Sequence, residues 1–391
     1  MRDKNDRSLI DAVKARVRIE DVAGRRVALR RVGREMVGLS PFKPERTPSF
    51  YVDPSKQLFK CFASGEGGDV IRLVELLDGV TTGEAIRRLA QDAGVDRIDE
   101  DAQARIAESH RAAAAAREAE DARRKAGRVD AARRMVDGVG PAGDLVARYL
   151  ATRGVDLAAL RRAHPTWDMG LPPELLFSAS MALMHGGANH GRWPAMVTAI
   201  RRKPGGEPIG IHRTYLARDG SGKARLPADV PAKLMLGQAA CGAAWLHVGA
   251  TGDGLIGEGI ETTLAAGAAL ARAGRAVAMV AALSLDNLAG PYRGIGAPHP
   301  ERPDRRMPSI LPDLTRPALG LPAIEGTWVI LADADGKDRA ATGAKLQRAA
   351  ARWSQQGHRV RIAWPELGQD FADMAAAGRA SLVRRRLAEA C

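Results

Sequence analysis

Cysteine is nearly absent from this 391-residue chain, where Cys61, Cys241 and Cys391 are the only three. Thiols so few and so widely spaced exclude a disulfide framework and fit a reducing compartment. Aromatic residues are also scarce, at 4%, so the cores must be built mainly from aliphatic side chains. No run of about 18 apolar residues occurs, which excludes an ordinary transmembrane helix. The opening MRDKNDRSLI has no apolar centre of the kind a signal peptide needs. The reading is a cytoplasmic protein with no membrane partner. A GxxxxGK[ST] phosphate loop is missing too, which excludes DNA unwinding by that class of motor.

What the chain has in excess is positive charge. Lys and Arg number 59 against 46 Asp and Glu, for a formal net charge of +13. A chain this basic attracts polyanions, nucleic acid foremost. Its length allows two or three domains, each with its own core.

Four stretches separate by pattern. Residues 1–97 read as a small α+β unit. Leu9, Ile10, Val13 and Val17 share one face of a helix over Ser8–Val17. Strands are expected at Val27–Leu29, Met36–Leu39, Ser49–Val52 and Leu58–Phe62. GGDVIRLVELLDG and TTGEAIRRLAQDAG read as two helices, the second capped by Thr82. Residues 98–135, almost all Ala, Arg, Glu and Asp, form an exposed helical linker. Residues 136–245 open with a helix that stops at Gly154. Strands at Ala195–Arg201, Ile209–Tyr215 and Lys233–Leu236 follow, joined by Gly-rich basic turns. From 246 to 391 strands alternate with helices, the pattern of a parallel sheet covered on both faces. A Pro- and Arg-rich excursion over 291–320 interrupts it and reads as a surface loop.

Acids mark the last stretch. Glu258 closes the strand GLIGE and Asp333 closes WVILAD, with Asp335 two residues on. In an open parallel sheet, functional groups gather at the carboxyl ends of strands. Hard carboxylate oxygens without His or Cys nearby suit Mg²⁺ or Mn²⁺ rather than zinc. Gly259 and Gly336 would let a phosphate-bearing ligand approach closely. A lone Asp-x-Asp is often just a helix cap, and the second acid on a neighbouring strand is what raises it above that.

GEGIETTLAA, followed later by LADADGKDRAATGAKLQRAA, resembles the Toprim domain of primases, topoisomerases and related nucleases over roughly residues 250–380. The resemblance implies that Glu258, Asp333 and Asp335 are the catalytic, metal-binding acids. It also nominates Asp370, and Asp373 behind it, in GQDFADM; Glu261 is read as a helix-surface acid. GLSPFKPERTPSFYVDPSKQLFKCFASGEGGD is similar to the zinc-binding domain of bacterial replicative primases. The four ligand positions of that frame hold Ser40, Lys43, Cys61 and Ser64. One thiolate cannot close a tetrahedral site, so the expectation is a domain without zinc, with Lys43 paired to Glu66 or Asp69. Phe42, Phe50 and Phe62 with Arg46 and Lys60 suit base stacking plus phosphate contact, and Phe50 and Phe62 equally suit a small core. RWPAMVTAIRRKPGGEPIGIHRTYLARDGSGKARLPADVPAKLMLG resembles the basic half of a primase core, which nominates Arg192, Arg213, Lys223 and Lys233 for nucleotide or DNA, and His212 behind them. Arg201, Arg202 and Lys203 border a turn and read as solvated.

The fold class is therefore α/β. A Toprim-type parallel-sheet domain is preceded by a basic α+β half-core and a small zinc-finger-like domain. The resemblance implies a primase of a phage or mobile element acting on single-stranded DNA with nucleoside triphosphates, beside a separate helicase. A primase-derived regulatory protein and a Toprim nuclease stay open as alternatives.

Overall fold

The apolar stripe at the start of the chain becomes α1 (Arg2–Arg16), followed by α2 (Ile19–Gly24). They pack on an antiparallel meander of β1 (Arg30–Val32), β2 (Glu35–Gly38), β3 (Phe50–Asp53), β4 (Leu58–Cys61) and β5 (Gly67–Gly68). In β3 burial alternates, with Phe50 and Val52 inward, as a half-buried strand requires. The first strand begins three residues later than expected. Val27 is instead drawn into the core, its amide bonded to Ala23 at the end of α2. Two helices complete the unit, α3 (Val70–Asp78) and α4 (Thr82–Asp92). Asp69 caps α3 by accepting from the Ile71 and Arg72 amides. Thr81, one residue before the expected Thr82, caps α4 by accepting from Glu84.

In this computed structural model residues 2–94, 100–249, 252–302, 304–334 and 338–390 are described. They form two compact units, Met1–Glu120 and Asp121–Cys391, and the division falls within a single helix, α5 (Glu100–Asp137). Most of its described side chains are exposed, as a linker would have them. Its last turns differ: Ala132 is fully buried, with Met135 and Val136 beside it in the core of the second unit.

That unit contains two sheets. The first follows β6 (Gly140–Pro141), α6 (Asp144–Thr152) and α7 (Leu157–Ala163). It is an antiparallel array of β6, β7 (Leu175–His185), β8 (Ala188–Arg201), β9 (Pro208–Tyr215) and β10 (Lys233–Gly237). The register pairs Thr198 with His212, Met196 with Thr214, and Thr214 with Lys233. Residues directly opposite point to the same face, so Thr198, His212, Thr214 and Lys233 share one side. Arg213, between them in sequence, points to the other.

The second sheet has the order β11-β13-β12-β14-β15. Its strands are β11 (Ala244–His247), β12 (Gly254–Gly257), β13 (Ala278–Ala281), β14 (Trp328–Leu331) and β15 (Val360–Ala363). β12 to β15 are mutually parallel, and β11 joins as an antiparallel edge. Five helices serve it: α8 (Ile260–Ala271), α9 (Leu285–Ala289), α10 (Arg339–Gln355), α11 (Phe371–Ala376) and α12 (Ala380–Ala390). Residues of α8, α11 and α12 share a core with one face, and residues of α9 and α10 with the other. After β12 the chain crosses to β13 on one side; after β14 it crosses to β15 on the other. Between β12 and β14 the winding reverses, and a crevice opens outside their carboxyl ends.

Among the described residues the excursion over 291–320 contains no helix or strand, yet it is more than a surface loop. Two buried arginines of α10 hold it: Arg348 donates to Ser309 O at 2.7 Å, and Arg352 to Asp313 O at 3.1 Å. Gly154 illustrates how tightly the second unit closes. It adopts φ +73°, and a Cβ there would meet Ala376 N at 2.2 Å. Gly154→Ala is therefore expected to destabilise this unit by at least about 2 kcal/mol, read as a lowered urea midpoint.

Candidate functional site

At the carboxyl edge of the parallel sheet, Glu258 directly follows β12 and Asp333 lies two residues beyond β14. The strands are neighbours, with Ile256 paired to Ile330, so the two half-buried acids flank the crevice where the winding reverses. Asp335 and Gly336 lie outside the described residues. Ala334, next to Asp333, is tied down from the other side: it donates to Gln369 O at 3.2 Å and accepts from Gly368 N at 3.0 Å. Asp370 comes next. It caps α11 by accepting from Asp373 N at 2.6 Å, and its other oxygen accepts from Thr262 Oγ1 at 3.1 Å. Asp373 is bonded to Arg153, 3.1 Å away.

Glu261 is the residue that the sequence misjudged. Far from being a surface acid, it is 3% exposed in the first turn of α8. Lys233 Nζ from β10 lies 2.9 Å from Oε2, and the Tyr149 hydroxyl from α6 donates to Oε1 at 2.7 Å. Burial by itself would raise this carboxyl. The adjacent Lys233 ammonium and the Tyr149 and Lys233 hydrogen bonds outweigh it and bring the pKa down to about 2. The signal that could have found it was the composition of its helix: IETTLAAGAALA is apolar on nearly every side, so an acid in it is buried along with the rest.

Other groups gather around this pair. Burial, reinforced by the Lys233 charge, depresses the pKa of Lys223. Burial also brings His212 down to about 4, so it is a neutral ring, and its Nδ1 has no hydrogen-bond partner among the described residues. The Thr198 and Thr214 hydroxyls on the same face are likewise buried without partners. Arg153 resists its burial because Asp370 and Asp373 stand beside it, and its pKa is raised. The result is a basic, partly unsatisfied polar face turned toward the helix that carries Glu261.

Of the nominated cations, Lys233 and Lys223 belong to this face. Arg213 does not: it is buried on the opposite side of the sheet, where it donates to the Tyr215 hydroxyl at 3.2 Å. Arg192 is exposed, its Nε bonded to Ser180 Oγ at 3.0 Å. Arg201, read as solvated, is instead mostly covered and paired with Glu174 at 2.9 Å.

In the first unit, Phe42 and Phe50 pack with Phe59 in the core, with ring centroids 5.6–6.1 Å apart. Phe62 is 67% exposed and meets Tyr51 edge-on at 5.4 Å. A depression of about 680 Å³ is lined by Tyr51, Leu58, Lys60 and Arg72 together with Glu35 and Glu66. Arg46 is exposed, and Lys60 Nζ donates to Gly65 O at 2.7 Å. The expected pairing of Lys43 does not form. Asp69 pairs with Lys14 at 2.7 Å and Glu66 with Arg72 at 3.3 Å. A hydroxyl network occupies the corner instead. Cys61 Sγ lies 3.2 Å from Ser40 Oγ, and Glu45 accepts from Ser40 N, Ser49 N and Ser49 Oγ at 2.6–3.0 Å. Burial raises the Cys61 thiol, but hydrogen bonds with Ser40, Ser64 and Ser49 leave it below its ordinary value.

Comparison with known proteins bears on this unit most directly. Residues 5–105 match the CHC2 zinc finger family. The DNA primase of Geobacillus stearothermophilus is 47% identical over 87 residues, 22% of this chain and 15% of that protein. The DNA primase of Mycolicibacterium smegmatis is 46% identical over 86 residues, 22% of this chain and 14% of its own length. The amino-terminal unit is a primase-type CHC2 zinc-finger domain.

Residues 126–246 match a domain of unknown function (DUF7146). A crystal structure of the Aquifex aeolicus primase (zinc binding and RNA polymerase domains) aligns over 98% of this chain and 85% of that one. Its identity is 19% and its TM-score 0.32, too low to carry any argument. The chain thus spans only about a seventh of the curated primases it matches, all of it in the CHC2 domain. Membership of that family corrects the cofactor expectation of magnesium or manganese without zinc, since a CHC2 zinc-finger domain points to zinc. The assignment rests on the family rather than on a ligand cluster. Ser40, Lys43, Cys61 and Ser64 supply one thiolate, and among the described residues no three His, Cys, Asp or Glu are grouped to hold a metal. No helix among the described residues is long and apolar enough to cross a membrane.

Two outcomes follow from these contacts. Lys233→Met leaves the buried Glu261 carboxylate without its counter-charge, which costs about 2–3 kcal/mol at pH 7. The figure is discounted from the fully buried case because Lys233 is 37% exposed. In the native chain the Glu261 pKa is depressed, so its contribution is complete above about 4.5 and lost as pH falls toward about 2. In Lys233→Met burial raises that pKa, so the deficit shrinks in acid; urea titrations at pH 7 and pH 5, with Lys233→Met/Glu261→Met as the restoring double variant, measure both. Glu45 also has a lowered pKa, chiefly through the Ser49 hydroxyl, so its contribution is present above the ordinary carboxylate range and lost as pH falls through the lowered value. Glu45→Ala is expected to open the Ser40 and Ser49 amides to hydrogen exchange, with Glu45→Gln intermediate.

Proposed function

We propose that the chain is a DNA primase that joins nucleoside triphosphates into short primers on single-stranded DNA, in the service of a phage or mobile element. The observation that carries this is a primase-type CHC2 domain on the same chain as a parallel sheet with Glu258 and Asp333 at its winding reversal. In this reading residues 246–391 are a Toprim domain, residues 136–245 its basic half-core and residues 98–135 the tether. Glu258, Asp333 and Asp335 are the catalytic carboxylates. Lys233 and Lys223 meet the triphosphate, their face lying against the helix that starts just after Glu258. Arg213, on the far side of its sheet, contributes to that sheet's packing instead.

The template would first meet the CHC2 domain. Phe62 and Tyr51 offer ring faces at its surface, with Lys60 and the exposed Arg46 for phosphates. Strand separation would come from a separate helicase, because this sequence has no phosphate loop.

The test is primer synthesis by the full chain on mixed-sequence single-stranded DNA, with labelled nucleoside triphosphates and a scan of divalent cations that includes zinc. Short products that disappear in Glu258→Gln are expected, with a loss of at least about a hundredfold. Template degradation would instead establish a nuclease. DNA binding with neither product would establish a regulatory protein.

A further inference from the structure

Large apolar side chains exposed one at a time need no explanation, but a concentration of them does. Among the described residues twelve are exposed, and five of these fall on the single excursion 291–320: Tyr292, Ile295, Ile310, Leu311 and Leu314. Ile295, at 81%, is the most exposed of the twelve. They are carried on an ordered ribbon. Arg293 N donates to Leu311 O at 3.1 Å and Met307 N to Ala297 O at 2.8 Å, with bridges pairing Tyr292 to Pro312 and Pro298 to Arg306. This pairing sets Ile295 near Leu311, whose methyl group lies 3.7 Å from the Cβ position of the intervening Gly294.

The ribbon is held from below. Besides the bonds of Arg348 and Arg352 already described, the Arg348 guanidinium lies 4.9 Å from the centre of the Tyr292 ring. His299, 4% exposed, is bonded to Asp338 at 3.1 Å. Two buried arginines and a buried histidine thus fix a segment that exposes five large apolar side chains. Such ordering would be lost on a loop that only connected α9 to β14.

The surrounding charge says what fits. Arg293, Arg305, Arg306 and Arg316 are all exposed on the same excursion and outnumber its exposed acids, Glu301 and Asp304. Arg293 and Arg316 have no ion pair among the described residues, and the Arg305 contact to Asp304 is long, at 4.0 Å. We propose that this ribbon is a docking surface for an acidic segment of a partner protein that carries large apolar side chains. Aliphatic anchors ringed by arginine match such a segment in both respects. A nucleic-acid surface would instead present several aromatic rings for bases to stack on; here one ring, Tyr292, already stacked with Arg348, stands among four exposed Ile and Leu side chains.

The probe is a short fluorescent peptide alternating Asp with Leu, titrated into the full chain and read by anisotropy, beside an Asp-Ser control. Saturable binding of the first peptide only is expected. It should weaken at least about tenfold in Ile295→Ser/Leu311→Ser and separately in Arg293→Glu/Arg316→Glu. All four positions are exposed, so unchanged melting temperatures should show that both variants fold. Equal binding by the variants, or no saturable binding, overturns the proposal. Displacement of the peptide by an oligothymidylate overturns it in favour of a nucleic-acid surface. A dimer seen by sedimentation that the Ile295→Ser/Leu311→Ser variant abolishes overturns it in favour of a second copy of this chain.

Discussion

The carboxylate of Glu261, taken out of water between two sheets, is the constraint on which the larger unit depends. It stands at the first turn of α8, and it can stay ionised there only because Lys233 and Tyr149 reach it from β10 and α6. A buried charge with its partners in place adds little net stability, whereas one without them is strongly unfavourable. The pair therefore acts as a register pin. It admits one seating of the antiparallel sheet against the parallel one and penalises the rest. The neighbouring Thr198 and Thr214 hydroxyls and His212 Nδ1 have the opposite character. They are buried polar atoms with no hydrogen-bond partner among the described residues, a cost that polar binding faces often carry.

The same helix ties that pin to the acidic edge of the parallel sheet. α8 begins two residues after Glu258, and Thr262 on its first turn bonds to Asp370, the cap of α11. Backbone bonds of Ala334 with Gly368 and Gln369 then hold the residue next to Asp333 at the same place. Acids on separate strands are thus positioned by a short run of contacts through rigid elements, the arrangement that a preorganised site needs. Under the proposed primase reading, a triphosphate would bind where the basic face and the acidic edge adjoin.

The CHC2 domain shows a different economy. Hydroxyls stand at two of its four ligand positions, Ser40 and Ser64, and Ser49 lies beside the third, Cys61, at 4.0 Å. Glu45 collects three donors from the two ends of the β2–β3 loop, and Cys61 of β4 meets Ser40 in that loop, so the corner is tied by hydrogen bonds even where only one thiolate is present. Phe42, Phe50 and Phe59 fill the space beneath. Family membership was therefore legible in the backbone-shaping residues, while the cofactor expectation, drawn from the ligand positions alone, was corrected by that membership.

Periodicity along the chain determined the alternating strands and helices, the long exposed helix and the acids at the ends of GLIGE and WVILAD, because each depends on near neighbours. Capping was legible to within one residue, since Thr81 and Thr82 offer the same hydroxyl chemistry. Only the tertiary structure decided which face of β9 met the other sheet, and with it that Lys233 belongs to the acid-facing side and Arg213 to the other. It also turned Glu261 from a surface acid into a buried one, and the excursion over 291–320 from a loop into an anchored ribbon. In each case the deciding partner lies tens of residues away: Lys233 for Glu261, Arg348 and Arg352 for Ser309 and Asp313. A charge's role depends on what neutralises it, and local sequence does not record that.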